Sequence, residues 1–208
     1  MHISEGFLSP QMLAAGWAIT GIGTAMGLKK LDPDKIVRVA TFSSVFFLSS
    51  LIHIPIGSSS THLSLLAPIG LVLGWSVFPA VLVALLLQAI LLRFGGFVVL
   101  GANTAIMALP AFIVYLIFSP PIRRGGSKTV AFLSFTAGFL AIVLGVAGIA
   151  FFLSFSDARF INATKALAAA HIFLALIEGA ITLFMVSFLK KAAPEILDGV
   201  NITNKKWE

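Results

Sequence analysis

Apolar residues run through this chain in long blocks, and polar positions fall between the blocks rather than alternating within them. Seven hydrophobic segments stand out, at 11–28, 36–53, 63–76, 78–94, 98–118, 128–154 and 162–190. About 20 consecutive apolar residues in helical conformation cross a bilayer core, so these blocks predict membrane-spanning α-helices. Clear breaks fall at Lys29–Lys35, from Pro55 to Thr61, from Pro120-Pro121 to Ser127, and from Ser154 to Asn162. Residues 63–94 are the ambiguous stretch. Pro68 and Pro79 lie inside it, and it reads as one long span or as a helical hairpin. Its first part, 63–76, is short for a span and predicts a tilted helix or one enclosed by protein.

Charge resolves the count. Lys29, Lys30, Lys35 and Arg38 lie around the first break, Arg123, Arg124 and Lys128 around the third, and Lys190, Lys191, Lys205 and Lys206 near the C-terminus. Basic residues concentrate on the cytoplasmic side of membrane proteins. That rule puts eleven of the fourteen Lys and Arg residues inside and leaves Arg93, Arg159 and Lys165 outside. The N-terminus then faces out, the C-terminus faces in, and 63–94 crosses twice. The expected fold is an all-α polytopic membrane protein with seven transmembrane helices. It forms a single multi-pass membrane domain over 1–208, with an extracytoplasmic segment at 1–10 and an extracytoplasmic loop at 54–62.

Composition narrows the function classes. Of the 208 residues, 59% are hydrophobic and 11% charged, against about 25% charged in soluble domains. No G-x-x-x-x-G-K-[ST] sequence is present, so nucleotide-driven work would belong to another chain. The absence of cysteine excludes disulfides, thiolate metal sites and cysteine nucleophiles. The net charge of +6 reports membrane topology rather than nucleic-acid binding. Residues 1–11 contain no Lys or Arg, and Glu5 is acidic, unlike the basic start of a signal peptide. The N-terminus is therefore expected to be retained.

The candidate chemistry begins with Met1-His2. A free α-amine, the next peptide nitrogen and the imidazole Nδ1 can close on one metal ion as two fused rings. The Gly- and Ser-rich loop before His62 would lie on the same side of the membrane and can fold that imidazole onto the N-terminus. Four nitrogens in a plane favour Ni(II) or Cu(II) and also accommodate Co(II), whereas zinc prefers a tetrahedron. The amine must be deprotonated, from a free pKa of about 7.7–8.0, so binding should weaken in acid. The plainer alternatives are an incidental His2 and a His62 that only hydrogen-bonds its own loop. The residues taken alone leave both open.

Other polar residues carry paired readings. His53 ends the second apolar block and can support the metal ligands. Gln88 and Asn103 flank an outward loop and either orient the histidines and N-terminal segment or join helices to one another. His171 and Glu178 are seven residues apart on one face of the last helix, as a polar pair or as a device orienting the bundle. Glu178 lies too deep to be a metal ligand. Glu5 attracts the cation, pins the N-terminal segment, or is simple surface charge. Gly16, Gly23 and Gly27, and likewise Gly138, Gly145 and Gly148, permit close helix contact within the chain or with a partner.

Four ordered stretches resemble the substrate-capture (S) component of energy-coupling-factor nickel/cobalt transporters, the NikM/CbiM family. They are Met1-His-Ile-Ser-Glu-Gly-Phe-Leu8, the loop from Ile54-Pro55 to Thr61-His62-Leu63, the stretch from Gln88-Ala89 through Gly95-Gly96 to Gly101-Ala102-Asn103, and Ala170-His171 through Ile177-Glu178-Gly179 to Thr182. The resemblance implies a six-helix core with one extra N-terminal helix, and metal ligands at Met1, His2 and His62. It implies Ni(2+) or Co(2+) as the transported ion, with no resident cofactor and no catalysis by this chain. It further implies a transmembrane coupling protein of the EcfT type, two ATPase subunits and a small accessory membrane protein, for which the chain has no room at its C-terminus. Ser58-Ser59-Ser60-Thr61 and Leu63-Ser64 around His62 depart from the family pattern, and Arg93 adds a charge. Two rivals differ in class. An autonomous secondary transporter needs ionisable groups through the midplane, where only His171 and Glu178 qualify. A membrane metalloenzyme needs an acid or base beside an open metal position.

Overall fold

Ser9 starts the first helix, because its hydroxyl accepts the Met12 N–H and Pro10 supplies a φ already suited to a first turn. The computed structural model describes residues 2–56 and 59–198. Met1, two residues of the 54–62 loop and the C-terminal Lys205 and Lys206 therefore lie outside the described residues. Helix α1 spans Pro10–Lys29 and α2 spans Ile36–Ser49, joined by a 3-10 turn at Pro33–Lys35 that the Asp32 carboxylate caps. Strands β1 (His53–Ile56) and β2 (Ser59–His62) follow as an antiparallel hairpin. Then come α3 (Leu66–Leu73), a 3-10 turn at Gly74–Ser76, α4 (Val77–Leu92), α5 (Leu100–Arg124), α6 (Ser127–Ser156) and α7 (Ile161–Ala192), with a last 3-10 turn at Pro194–Asp198.

Among the described residues, four helical runs are long and apolar enough to cross a membrane: Leu66–Leu92, Leu100–Arg124, Ser127–Ser156 and Ala158–Ala192. The first is interrupted at Gly74, whose φ of 52° ends α3 after eight residues. Eight helical residues rise only about 12 Å, too little to cross alone, and all eight are buried inside the bundle. Enclosure is what makes this short helix and the extended backbone before it tolerable, because protein rather than lipid surrounds them.

The structure departs from the sequence reading at two elements. The stretch after α2 is a hairpin, not an irregular loop, and its register sets His53 opposite His62. Helix α5 continues through Pro120 and Pro121 to Arg124, where a break was expected. Proline holds a helix-compatible φ; its cost is the missing N–H and the clash with the preceding turn. Here that cost falls in the last turns of the helix, where both prolines are exposed.

The bundle has two chemically different ends. At one, the Lys30 ammonium lies 4.6 Å from the Trp75 ring, Arg38 donates to the Glu195 carbonyl at 3.3 Å and Lys190 donates to the Arg123 carbonyl. The other end gathers the N-terminal segment, the hairpin, the α4–α5 loop and the end of α6, where the Ser9 N–H donates to Ser156 Oγ at 3.0 Å. Gly16, Gly23 and Gly27 of α1 pack within the chain. A Cβ at Gly16 would stand 2.5 Å from Ala102 Cα, and one at Gly27 would meet the Trp75 carbonyl.

Candidate metal centre

Asn103 brings the N-terminal segment to the bundle. Its amide oxygen accepts the Ile3 N–H at 2.9 Å, and its amide nitrogen donates to the Ile3 carbonyl at 2.9 Å. Glu5 adds a second tether, accepting the Val98 N–H at 3.0 Å. Gly96, at φ 143°, lets the chain pass the Glu5 side chain where any Cβ would collide with it. These tethers deliver His2.

His2 Nε2–H donates to Gln88 Oε1 at 2.8 Å. The orientation of that amide follows from the next partner. Ser50 gives its hydroxyl proton to the Phe47 carbonyl at 2.6 Å, so it can only accept from Gln88 Nε2, at 3.0 Å. The Gln88 oxygen must then face His2, which fixes the proton on Nε2 and the lone pair on Nδ1. His62 is buried on β2, and its Nδ1–H donates to the Leu63 carbonyl at 3.1 Å, which leaves acceptor character on Nε2.

His2 Nδ1 and His62 Nε2 stand 3.1 Å apart, with ring centroids separated by 4.9 Å. Two acceptor nitrogens facing each other at this distance make no hydrogen bond between neutral rings. Nitrogens held about 2.0–2.1 Å from one ion at a right angle would lie about 2.9 Å apart. Burial pushes the His2 imidazole down to about 3 and the His62 imidazole down to about 2. Both rings are therefore neutral near pH 7, the form that ligates metal.

The remaining candidates surround this pair. His53 is exposed, its ring centroid is 6.5 Å from that of His62, and its Nδ1 lies 3.1 Å from the Leu51 carbonyl. His171 and Glu178 do not pair with each other. His171 Nδ1–H donates to the Leu167 carbonyl at 2.8 Å, and its Nε2 lies 3.4 Å from Thr61 Oγ1. Glu178 accepts the Ser64 N–H at 2.5 Å, the Ser64 hydroxyl at 2.9 Å and the Leu65 N–H at 3.1 Å. One face of α7 thus grips the chain on both sides of His62. Among the described residues no three His, Cys, Asp or Glu side chains are grouped to hold a metal; the two imidazoles are the side-chain donors that converge. Sequence reasoning missed Ser50, Thr61 and Ser64. The only hint was that these polar residues sit at the margins of apolar blocks.

A bundle of apolar helices with a pair of facing imidazoles at one end defines a polytopic membrane protein. Residues 2–196 match the CbiM family model, described as the cobalt uptake substrate-specific transmembrane region. The chain is 36% identical over 203 residues to a Haemophilus influenzae protein provisionally named a metal transport protein, covering 95% of this chain and 97% of that one. It is 31% identical to the fused nickel transport protein NikMN of Rhodobacter capsulatus, covering 95% of this chain and 64% of that protein. A crystal structure of a transition metal transporter superposes with a TM-score of 0.68 at 26% identity, covering 92% of this chain and 93% of that chain. The chain belongs to the CbiM family.

Proposed function

We propose that this chain captures Ni(II) or Co(II) at the outer membrane face as the substrate-binding component of an ATP-driven importer. Seven crossings, an outward N-terminus and an inward C-terminus fit the segregation of basic residues to the end of the bundle opposite the histidine pair. The ion would be held by His2 Nδ1, His62 Nε2, the His2 backbone nitrogen and the Met1 amine. The observation that carries this reading is the 3.1 Å approach of two imidazole nitrogens whose opposite ring nitrogens are already committed to Gln88 and Leu63. With two side-chain donors converging, the set is completed by main-chain and terminal nitrogens, and a planar four-nitrogen set suits Ni(II). Release into the cell would require an EcfT-type coupling protein and two ATPase subunits, together with a small accessory membrane protein.

The test is titration of the purified chain with Ni(II) and Co(II) in a non-coordinating buffer, beside His62→Ala. The variant should lose at least about tenfold in affinity. Unchanged affinity would remove His62 from the site.

A further inference from the structure

All four histidines of the chain line one open cavity of about 620 Å³ at the site end of the bundle. Water occupies about 30 Å³ per molecule, so an ion with six waters needs on the order of 200 Å³. The cavity is far larger than a hydrated ion. Phe7, Leu153, Phe160 and Leu167 give its lining an apolar portion.

Its electrostatics are unusual for a cation vestibule. Among the described residues, no Asp or Glu lines it. Glu5 turns its carboxylate to the Val98 N–H, and Asp157 is bound to Arg159 at 2.6 Å. The charged side chain that does line the cavity is Arg93. Its guanidinium has no hydrogen bond or ion pair with the described residues. Its backbone sits at φ 56°, ψ 31°, closing α4 in the left-handed region that side chains rarely adopt and glycine takes readily. An arginine here repels a bare dication and suits a carboxylate, which it can grip through two parallel N–H donors.

We propose that this cavity receives the metal as a complex with a small carboxylate chelator, that Arg93 holds the chelator's carboxylate, and that the ion passes from it to the histidine pair. Metal–oxygen bonds break as metal–nitrogen bonds form. No electrons move, protons from the N-terminal amine and the His2 backbone nitrogen go to water, and the freed carboxylate stays on Arg93. The inference rests on the capture site proposed above.

The experiment measures capture rates of Ni(II) by the full chain, purified in phosphate-free detergent, supplied either as the aqua ion or as its 1:1 citrate complex. Arg93→Gln should slow capture from citrate about tenfold or more while capture of the aqua ion holds or quickens, and Arg93→Lys should restore part of the loss. Equal effects on both metal forms, or no effect on either, overturn the proposal. So does a selective effect that appears only in nanodiscs with anionic lipid, which would assign Arg93 to headgroups. Failure of the wild-type chain to bind the aqua ion would instead remove the capture site itself.

Discussion

Glu178, on α7, accepts the backbone N–H of Ser64 at 2.5 Å, two residues beyond His62. The same carboxylate takes the Ser64 hydroxyl and the Leu65 N–H, at the point where Leu65 turns through φ 52° to start α3. The chain just after His62 is thus held from the middle of the last helix, and in the proposed site Glu178 would act as a positioning residue rather than a ligand. Glu178→Ala should leave three buried donors without an acceptor and cost about 3 kcal/mol. It should also lower metal affinity about 10–100-fold. Glu178→Gln keeps one acceptor oxygen and should fall between. Thermal unfolding paired with metal titration checks this; a stable Glu178→Ala protein with native affinity would contradict it.

The relay from Phe47 through Ser50 and Gln88 to His2 fixes a tautomer. Nitrogen NMR of labelled histidine should show His2 protonated at Nε2 and bare at Nδ1 in the metal-free chain. Gln88→Leu should abolish that preference and weaken metal binding about 10–100-fold, while Gln88→Glu, which retains an acceptor, should preserve the tautomer.

Acid should release the N-terminal segment. Folded His2 and His62 titrate near 3 and 2, against 6.5 for the unconstrained ring. Between these values the undocked state binds more protons, so docking stability is complete above about pH 6.5 and falls as the pH drops toward the folded values. Hydrogen exchange at the Ile3 amide, which Asn103 protects, should be slow and constant above pH 6.5. After correction for intrinsic rates it should accelerate below that point. Protection that persists unchanged to pH 4 would contradict the burial of neutral rings.

Much of this architecture is legible in the chain because burial in lipid writes itself as apolar blocks. The segments at 11–28, 128–154 and 162–190 lie within one or two residues of α1, α6 and α7. The hairpin was not legible, since the sequence over 53–62 combines His, Pro, Gly and Ser without strand alternation, and residues 53–56 and 59–62 are held by β1–β2 pairing. Pro120-Pro121 misled because proline weakens a helix without having to end it. At the site, the proximity of His2 and His62 could be anticipated, because the charge pattern assigns both to one side of the membrane. The grip of α7 on Thr61 and Ser64 could not, because a deeply placed Glu178 reaching a loop backbone depends on that loop descending into the bundle.

The small residues of α3 should prove structural. A Cβ at Gly70 would collide with the Ala111 carbonyl of α5. Gly70→Val should therefore destabilise the chain by about 1–3 kcal/mol, read as a lower unfolding temperature. Any change in metal affinity should be no greater than the loss of folded protein explains.

The central claim is that the N-terminal amine and the His2 nitrogens chelate the transported ion together with His62. The most direct measurement is Ni(II) and Co(II) titration of the purified chain against the same chain carrying one extra residue before Met1. The added residue moves the amine out of the fused-ring geometry while leaving the His2–His62 pair and the bundle unchanged. A loss of at least about a hundredfold in affinity is predicted. Equal affinity for the native and extended chains would show that the terminal amine is not a ligand.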